Sequence, residues 1–172
     1  GVKFDLVLYS TPPITFDKII RYVKKRDEAS SYLLLKDIFP QNAVDLNMFS
    51  SRSLFYRFFR NKEKKLYHIS DYIGCMSQAN VDFVLKNNPK IPSDIVEVCP
   101  NSIEPLTIEI PEEEKSKIRQ KHGIPFNKTV FIYGGNIGKP QGVDFVIDCL
   151  KANMTNDKVS FVIAGSGTEY YK

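Results

Sequence analysis

Six short apolar runs alternate with longer segments whose apolar residues recur at helical spacing, and this alternation restricts the possible folds most strongly. The runs that predict strands are 4–10, 32–36, 72–76, 95–98, 129–133 and 160–164. Helical spacing is clearest over 15–25 and 143–150. Because short loops join strands to helices, parallel sheets covered by helices on both faces are favoured. We therefore predict an α/β protein built from Rossmann-like parallel sheets.

The segment CPNSIEPLTIEIPEEE, which contains Pro100, Pro105 and Pro111, interrupts this alternation. Proline cannot donate a hydrogen bond to a central strand, and it favours extended connections. The next residues begin with glutamates and end with basic residues and Gly123, which is the charge order that a helix dipole favours. We predict two domains, 1–105 and 106–172, with the boundary in this segment. The alternative is a long surface loop within one domain.

Composition narrows the classes of protein that fit the chain. The 172 residues are 42% hydrophobic and 26% charged, so a packed core is expected. The net charge of +4 is too small to predict nucleic acid as a partner. The three cysteines lack CxxC spacing and there are only two histidines, so we predict no metal site and expect reduced thiols in the cytoplasm. No apolar run approaches the roughly 20 residues of a membrane span.

Two glycine-rich segments follow strands in the second half of the chain. YGGNIGKPQG spans 133–142, and GSG spans 165–167. Glycine lets a backbone approach an anion closely, and a helix N-terminus presents unpaired N–H groups to it. Parallel strands would bring both segments to one edge of a sheet. We predict a phosphate site made by Gly135, Asn136, Lys139, Gln141, Gly142, Gly165, Ser166 and Gly167.

The first of these turns matches neither the ATPase phosphate loop nor the dinucleotide-binding G-x-G-x-x-G pattern. An ordinary strand-to-helix turn therefore remains the alternative explanation for its glycines.

The basic excess is concentrated in SRSLFYRFFRNKEKKLYHIS, residues 51–70, where cations alternate with aromatic side chains. On a helix this pattern gives an aromatic stripe beside a cationic rim, which is typical of a membrane-surface helix. We predict peripheral contact with the inner face of the cell membrane through Arg57, Phe58, Arg60 and Lys64. A core-packing helix with a solvated basic face is one alternative, and binding of single-stranded nucleic acid, whose bases could stack on the aromatic side chains, is another.

The order of these motifs resembles the family 4 glycosyltransferases, which have the two-domain GT-B fold. VFIYGGNIGKPQGVDFVIDCLK followed by VSFVIAGSG is similar to the start of their C-terminal domain. HISDYIGCMSQANVDFVLKNN and VEVCPNSIE are similar to the later part of the N-terminal domain and its exit. FDLVLYSTPPIT and YLLLKDIFPQ resemble strand–turn units of bacterial capsule and O-antigen enzymes. Asn136 stands where the family has arginine and Gln141 where it has lysine, and Lys139 is expected to supply the missing charge.

The resemblance implies that this chain is an internal fragment, inactive alone, because the family's first glycine-rich loop and its paired glutamates have no match here. It implies a retaining hexosyltransferase of polysaccharide biosynthesis that uses no cofactor. The partners would be a nucleotide-sugar donor, held by the eight phosphate-site residues, and a saccharide or lipid-linked acceptor. Pro12, Pro13 and Lys36 would lie on the acceptor side, where Asp37 would orient or deprotonate the acceptor hydroxyl.

Other interpretations of the same residues stay open at this point. Asp37 could instead cap the next helical turn. The whole chain could be a nucleotide-sugar epimerase of GT-B-like fold, or a non-enzymatic basic α/β module that binds membrane or nucleic acid.

Overall fold

A computed structural model describes residues 1–171 of the chain. The chain separates into two compact units, one spanning Gly1–Glu104 and the other beginning at Pro105. All six predicted strands are present and every strand pairing is parallel, which confirms the α/β class. The division lies within the proline-containing segment, whereas the assignment of the units as acceptor-side and donor-binding domains stays a prediction.

The first unit is a four-stranded sheet whose strands follow one another in chain order. Its elements are β1 (Leu6–Ser10), α1 (Asp17–Asp27), β2 (Ser30–Leu35), α2 (Gln41–Asp45), α3 (Leu54–Ile69), β3 (Tyr72–Cys75), α4 (Gln78–Asn87) and β4 (Val96–Val98). The five-residue α2 was not predicted, because it is too short to show helical periodicity.

The core of the first unit lies between one face of this sheet and the helices. Alternate residues of β2, namely Ser31, Leu33 and Leu35, are fully buried there. The helices contribute the remaining side chains of the core, among them Ile20, Leu66, Tyr67, Ile69, Val81 and Val84. Burial of each large apolar side chain contributes about 1.5–3 kcal/mol to folding.

The opposite face of the same sheet is open among the described residues. Leu6 is 53% exposed and Leu8 is 59% exposed. The prediction of helices on both faces is therefore wrong for this unit. Right-handed connections between strands in consecutive order place every helix on the same face of a sheet.

A polar cluster fixes α1 against the sheet. The Lys24 ammonium donates hydrogen bonds to Asp71 Oδ2 at 2.7 Å, to the Ile69 carbonyl at 2.7 Å and to Ser31 Oγ at 3.0 Å. The Ser31 backbone N–H also donates to Asp71 Oδ2, at 2.8 Å. Partial burial raises the pKa of Asp71, but the hydrogen bonds from Lys24 and Ser31 outweigh it and hold that pKa below its ordinary value of 3.8.

Within residues 105–171, the second unit has two parallel strands and two α-helices: α5 (Glu112–Lys121), β5 (Thr129–Asn136), α6 (Val143–Ala152) and β6 (Val159–Ser166). Both strands are longer at their carboxyl ends than predicted. Gly135 and Gly165 lie within the strands, where they pair with each other, instead of in the turns that follow.

We predict that Asp71→Asn lowers the free energy of unfolding by about 1 kcal/mol at neutral pH, since the carboxylate is 44% exposed and its ion pair is partly screened. A carboxyl whose pKa is depressed on folding stabilises the protein above its unfolded pKa. The difference from the native protein should therefore shrink as the pH falls below 3.8. Urea unfolding across this pH range measures the effect.

Asp5→Asn is the matched control, because the Asp5 carboxylate is exposed and forms no hydrogen bond or ion pair within residues 1–171. Equal destabilisation by the two substitutions, or a loss that does not change with pH, would contradict the role given to Asp71.

Candidate functional site

The residues predicted to hold phosphate meet at the carboxyl edge of the β5–β6 pair. Gly135 pairs with Gly165, and Asn136 pairs with Ser166. Beyond this point the Ile137 N–H donates to the Ser166 carbonyl at 2.8 Å. The predicted proximity of the two glycine segments is confirmed, and their role in phosphate binding stays a prediction.

Glycine is required at Gly165 and Gly167 by the close approach of two backbones. A Cβ atom at Gly165 would collide with the Gly135 carbonyl oxygen. A Cβ atom at Gly167 would collide with the Ile137 carbonyl and lie 2.6 Å from Asn136 Oδ1. Packing alone explains these two glycines, whether or not an anion binds beside them.

The polar side chains of the first segment surround the start of α6. Asn136 Nδ2 donates to Gln141 Oε1 at 3.3 Å, while the Tyr133 hydroxyl donates to the Asn136 carbonyl at 2.7 Å. Lys139 is exposed and opens a short 3-10 turn, and it forms no ion pair in the part of the chain that the structure describes. One cation and two side-chain amides therefore lie beside the start of α6.

Gly142 forms the corner at which the chain enters α6. Its φ of 65° and ψ of 43° lie in the left-handed region, which residues with a side chain rarely adopt. The Val143 N–H has no acceptor four residues earlier within the helix, whereas the Phe145 and Val146 N–H groups donate to the Gly142 carbonyl at 2.9 Å and 3.3 Å. The helix dipole favours an anion at this corner, while the Asp144 carboxylate in the same first turn opposes it.

The predicted acceptor residues occupy the carboxyl edge of the sheet in the first unit. The Thr11 hydroxyl donates to the Asp37 carbonyl at 3.0 Å and accepts from the Asp37 N–H at 3.2 Å. The loop after β1, which contains Pro12 and Pro13, is therefore tied to the loop after β2. The structure brings these loops together, but the binding of an acceptor stays a prediction.

Lys36 and Asp37 line a cleft of about 330 Å³ together with Ile38, Gln41, Asn42, Asp45, Ala79, Asn80 and Phe83. The Asp37 carboxylate makes no hydrogen bond or ion pair with any other described residue, and α2 begins after Pro40 without a side-chain cap. The alternative role of Asp37 as a helix cap is therefore wrong. Its carboxylate is available to a hydroxyl group that enters the cleft.

Sequence reasoning missed Asn42 and Asn80, which also line this cleft. Asn42 Oδ1 is buried and lacks a hydrogen-bond partner among residues 1–171. Asn42 belongs to the short α2, which gives no periodic signal. Asn80 lies in the first turn of α4, and its N–H donates to Ser77 Oγ at 3.3 Å. The serine-capped start of α4 was the available signal for Asn80.

The basic segment forms α3, and its predicted membrane residues fall into two groups. Arg57 and Lys64 are exposed, and Phe58 is 57% exposed. The Arg60 guanidinium is instead held within the fold, since it donates to Glu63 Oε2 at 2.5 Å and to the Asn87 carbonyl at 2.8 Å. Contact of these four side chains with a membrane stays a prediction.

Arg60 and Glu63 join α3 to the end of α4. Arg60 also donates to Asn88 Oδ1 at 2.7 Å, and the Tyr67 hydroxyl donates to Glu63 Oε1 at 2.7 Å. Burial raises the pKa of Glu63 above its ordinary value, although Arg60 and Tyr67 oppose this effect. The pair thus fixes the position of two helices.

Within residues 1–171, no helix combines the length and the apolar character needed to cross a bilayer. No three His, Cys, Asp or Glu side chains in this range cluster as ligands of a metal ion would.

No family model matches the chain. Over 165 residues it is 26% identical to a protein described as probable glycosyltransferase WbjE of Pseudomonas aeruginosa. The similar region covers 95% of this chain but 40% of that protein, so this chain spans less than half the length of its relative. The similarity supports a glycosyltransferase-like protein in general terms.

We predict that Gly165→Ala destabilises the β5–β6 edge by about 1–3 kcal/mol, because the new methyl group must displace the Gly135 carbonyl. Hydrogen exchange of the amides in β5 and β6 should therefore accelerate. Gly134→Ala is the matched control, since no atom lies within 4 Å of a Cβ atom at Gly134. Unchanged exchange in Gly165→Ala would contradict the close approach of these strand ends.

Proposed function

We propose that this chain is part of a glycosyltransferase that transfers a sugar from a nucleotide-sugar to a saccharide or lipid-linked acceptor in polysaccharide biosynthesis. The similarity to a probable glycosyltransferase extends over nearly the whole chain, and it supports this class of enzyme. The observation that carries the proposal is the pairing of Asn136 with Ser166, which brings both glycine segments to one edge of a parallel sheet.

The donor would bind at this edge through its diphosphate. Negative charge accumulates on the leaving diphosphate as the bond to the sugar breaks. Lys139, the Asn136 amide and the N-terminus of α6 would stabilise that charge electrostatically. In this proposal the enzyme is a retaining, GT-B-type hexosyltransferase of family 4, the nucleotide-sugar is its substrate, and it uses no cofactor or metal.

The acceptor would bind at the carboxyl edge of the sheet in the first unit. The unengaged carboxylate of Asp37 can accept a hydrogen bond from a sugar hydroxyl and remove its proton. Lys36 lies next to it in the same cleft and can pair with a phosphate of a lipid-linked acceptor. Pro12 and Pro13 would bound the entrance from the neighbouring loop.

A lipid-linked acceptor would be consistent with membrane contact by the exposed side chains of α3. Arg57 and Lys64 would pair with anionic headgroups while Phe58 enters the interface, which would hold the enzyme peripherally at the inner face of the cell membrane. The relative is described as a glycosyltransferase, which favours this function over a nucleotide-sugar epimerase or a non-enzymatic basic module.

We predict that Lys139→Ala weakens the binding of uridine or guanosine diphosphate about tenfold, because a charge-assisted contact with the diphosphate is lost. Isothermal titration calorimetry of the native and substituted chains measures the change. Lys158→Ala is the matched control. Lys158 is exposed and precedes β6, so it lies at the amino ends of the strands and away from the candidate donor site. Absence of binding by the native chain, or equal weakening in both variants, would contradict the donor site.

A further inference from the structure

A separate cleft of about 470 Å³ lies in the helix layer of the first unit. Its walls come from α1, from the second half of α3 and from the end of α4, through Arg21, Asn61, Lys64, Lys65, His68, Asn87, Asn88, Pro89 and Lys90. Since α3 ends at Ile69, just before β3 begins at Tyr72, the second half of α3 and this cleft lie toward the amino end of β3. It is therefore distinct from the cleft at Asp37, which follows the carboxyl end of β2.

The lining of this helix-layer cleft is strongly cationic. Arg21, Lys64, Lys65 and Lys90 contribute positive charge, and no aspartate or glutamate lines the walls. None of these four side chains forms an ion pair with any residue that the structure describes.

Two other cations of α3 lie beside carboxylates of the fold. Arg60 pairs with Glu63, and Lys62 lies 3.9 Å from Asp17. The tertiary structure therefore determines which cationic side chains of α3 are close to a carboxylate. Arg60 and Lys62 lie beside carboxylates, while Arg57, Lys64 and Lys65 form no ion pair with any described residue, and the two lysines line the cleft.

The α3 wall is a continuous polar stripe. Asn61, Lys64, Lys65 and His68 follow the spacing i, i+3, i+4, i+7, which places them on one face of the helix. His68 Nδ1 lies 2.8 Å from the Lys64 carbonyl oxygen, so Nδ1 carries the proton that is donated to it. The second ring nitrogen, Nε2, remains available to a ligand.

The opposite wall is held in place by hydrogen bonds within the fold. Asn87 Nδ2 donates to the Phe83 carbonyl at 2.8 Å, and Asn88 Nδ2 donates to the Val84 carbonyl at 2.7 Å. Arg60 bonds to both asparagines and thereby links this wall to α3. The cleft is thus formed before a ligand arrives, which lowers the entropic cost of binding.

Unpaired cations gathered in a concave site repel one another and focus a positive potential. An anion removes that repulsion, and the cleft volume lies in the range of small-molecule sites. A smaller hollow of about 270 Å³ shares Asn61 and Lys64 with the cleft, and its exposed Arg57 extends the positive surface along α3. Because the positive surface extends beyond the cleft itself, it favours a ligand that carries more than one phosphate.

We propose that the helix-layer cleft is a second phosphate site, which binds the diphosphate or polyphosphate group of a small ligand or a lipid headgroup. It goes beyond the proposed transferase function, because no donor or acceptor residue lines it, and it shares only Lys64 with the surface of α3 that is proposed to contact the membrane. Arg21, Lys64, Lys65 and Lys90 would supply the charge, and Asn61 and His68 would supply neutral polar contacts.

Titration of the ¹⁵N-labelled chain with inorganic pyrophosphate tests the proposal. We expect the amide signals of α3 and of 87–90 to shift with saturation. The Lys64→Ala/Lys65→Ala double variant should raise the dissociation constant about tenfold, since each lost cation contributes a few-fold. Lys25→Ala/Lys86→Ala is the control of equal net charge, because both lysines are exposed on α1 and α4 outside the cleft.

Vesicle flotation separates the two sources of phosphate. Stronger flotation with vesicles that carry a prenyl diphosphate than with phosphatidylglycerol vesicles of equal charge supports a lipid headgroup, provided that Lys64→Ala/Lys65→Ala abolishes the difference. Pyrophosphate binding without such flotation supports a soluble ligand.

Lys139→Ala should leave the cleft signals unchanged, so failure of the donor site and failure of this proposal are distinguishable. Equal weakening by the control double variant would overturn the proposal. So would the absence of both pyrophosphate binding and vesicle binding at these residues.

Discussion

The candidate donor and acceptor sites in this protein both depend on parallel strand pairing, because parallel strands bring the segments that follow them to one edge of a sheet. In the first unit, the pairing of β1 with β2 places Thr11 beside the backbone of Asp37. In the second unit, the pairing of β5 with β6 places Asn136 beside Ser166. The residues joined in this way are 26 and 30 positions apart in the chain.

The helix layer of the first unit is positioned by a small number of charged hydrogen bonds in addition to its apolar core. Lys24 and Asp71 attach α1 to the entrance of β3, and Arg60 attaches α3 to the end of α4. These contacts have a second consequence. By engaging some cations of the basic segment and leaving others unpaired, they convert an overall basic helix into a localised positive cleft.

Strand positions could be predicted well, because short apolar runs bounded by turn residues are a local signal. Which faces of the sheet are covered by helices could not be predicted, because this depends on the order of the strands. Parallel strands in consecutive order place all their connecting helices on one face. Leu6 and Leu8 are therefore exposed on the other face. The membrane interpretation of α3 grouped Arg60 with the exposed Arg57 and Lys64. Arg60 shows why that was incomplete, because its partners Asn87 and Asn88 are distant in sequence.

The sequence by itself determined the α/β class, the six strands, the helical nature of the basic segment and the proximity of the two glycine segments, because hydrophobic periodicity and glycine placement act locally. Only the tertiary structure decided which polar groups are engaged. In the folded chain the Asp37 carboxylate forms no hydrogen bond with a described residue. Gly165 lies where two backbones approach closely, and Lys64 and Lys65 form no ion pair with a described residue. The reason is physical: whether a charge is paired depends on its neighbours in space, and those neighbours come from distant parts of the chain.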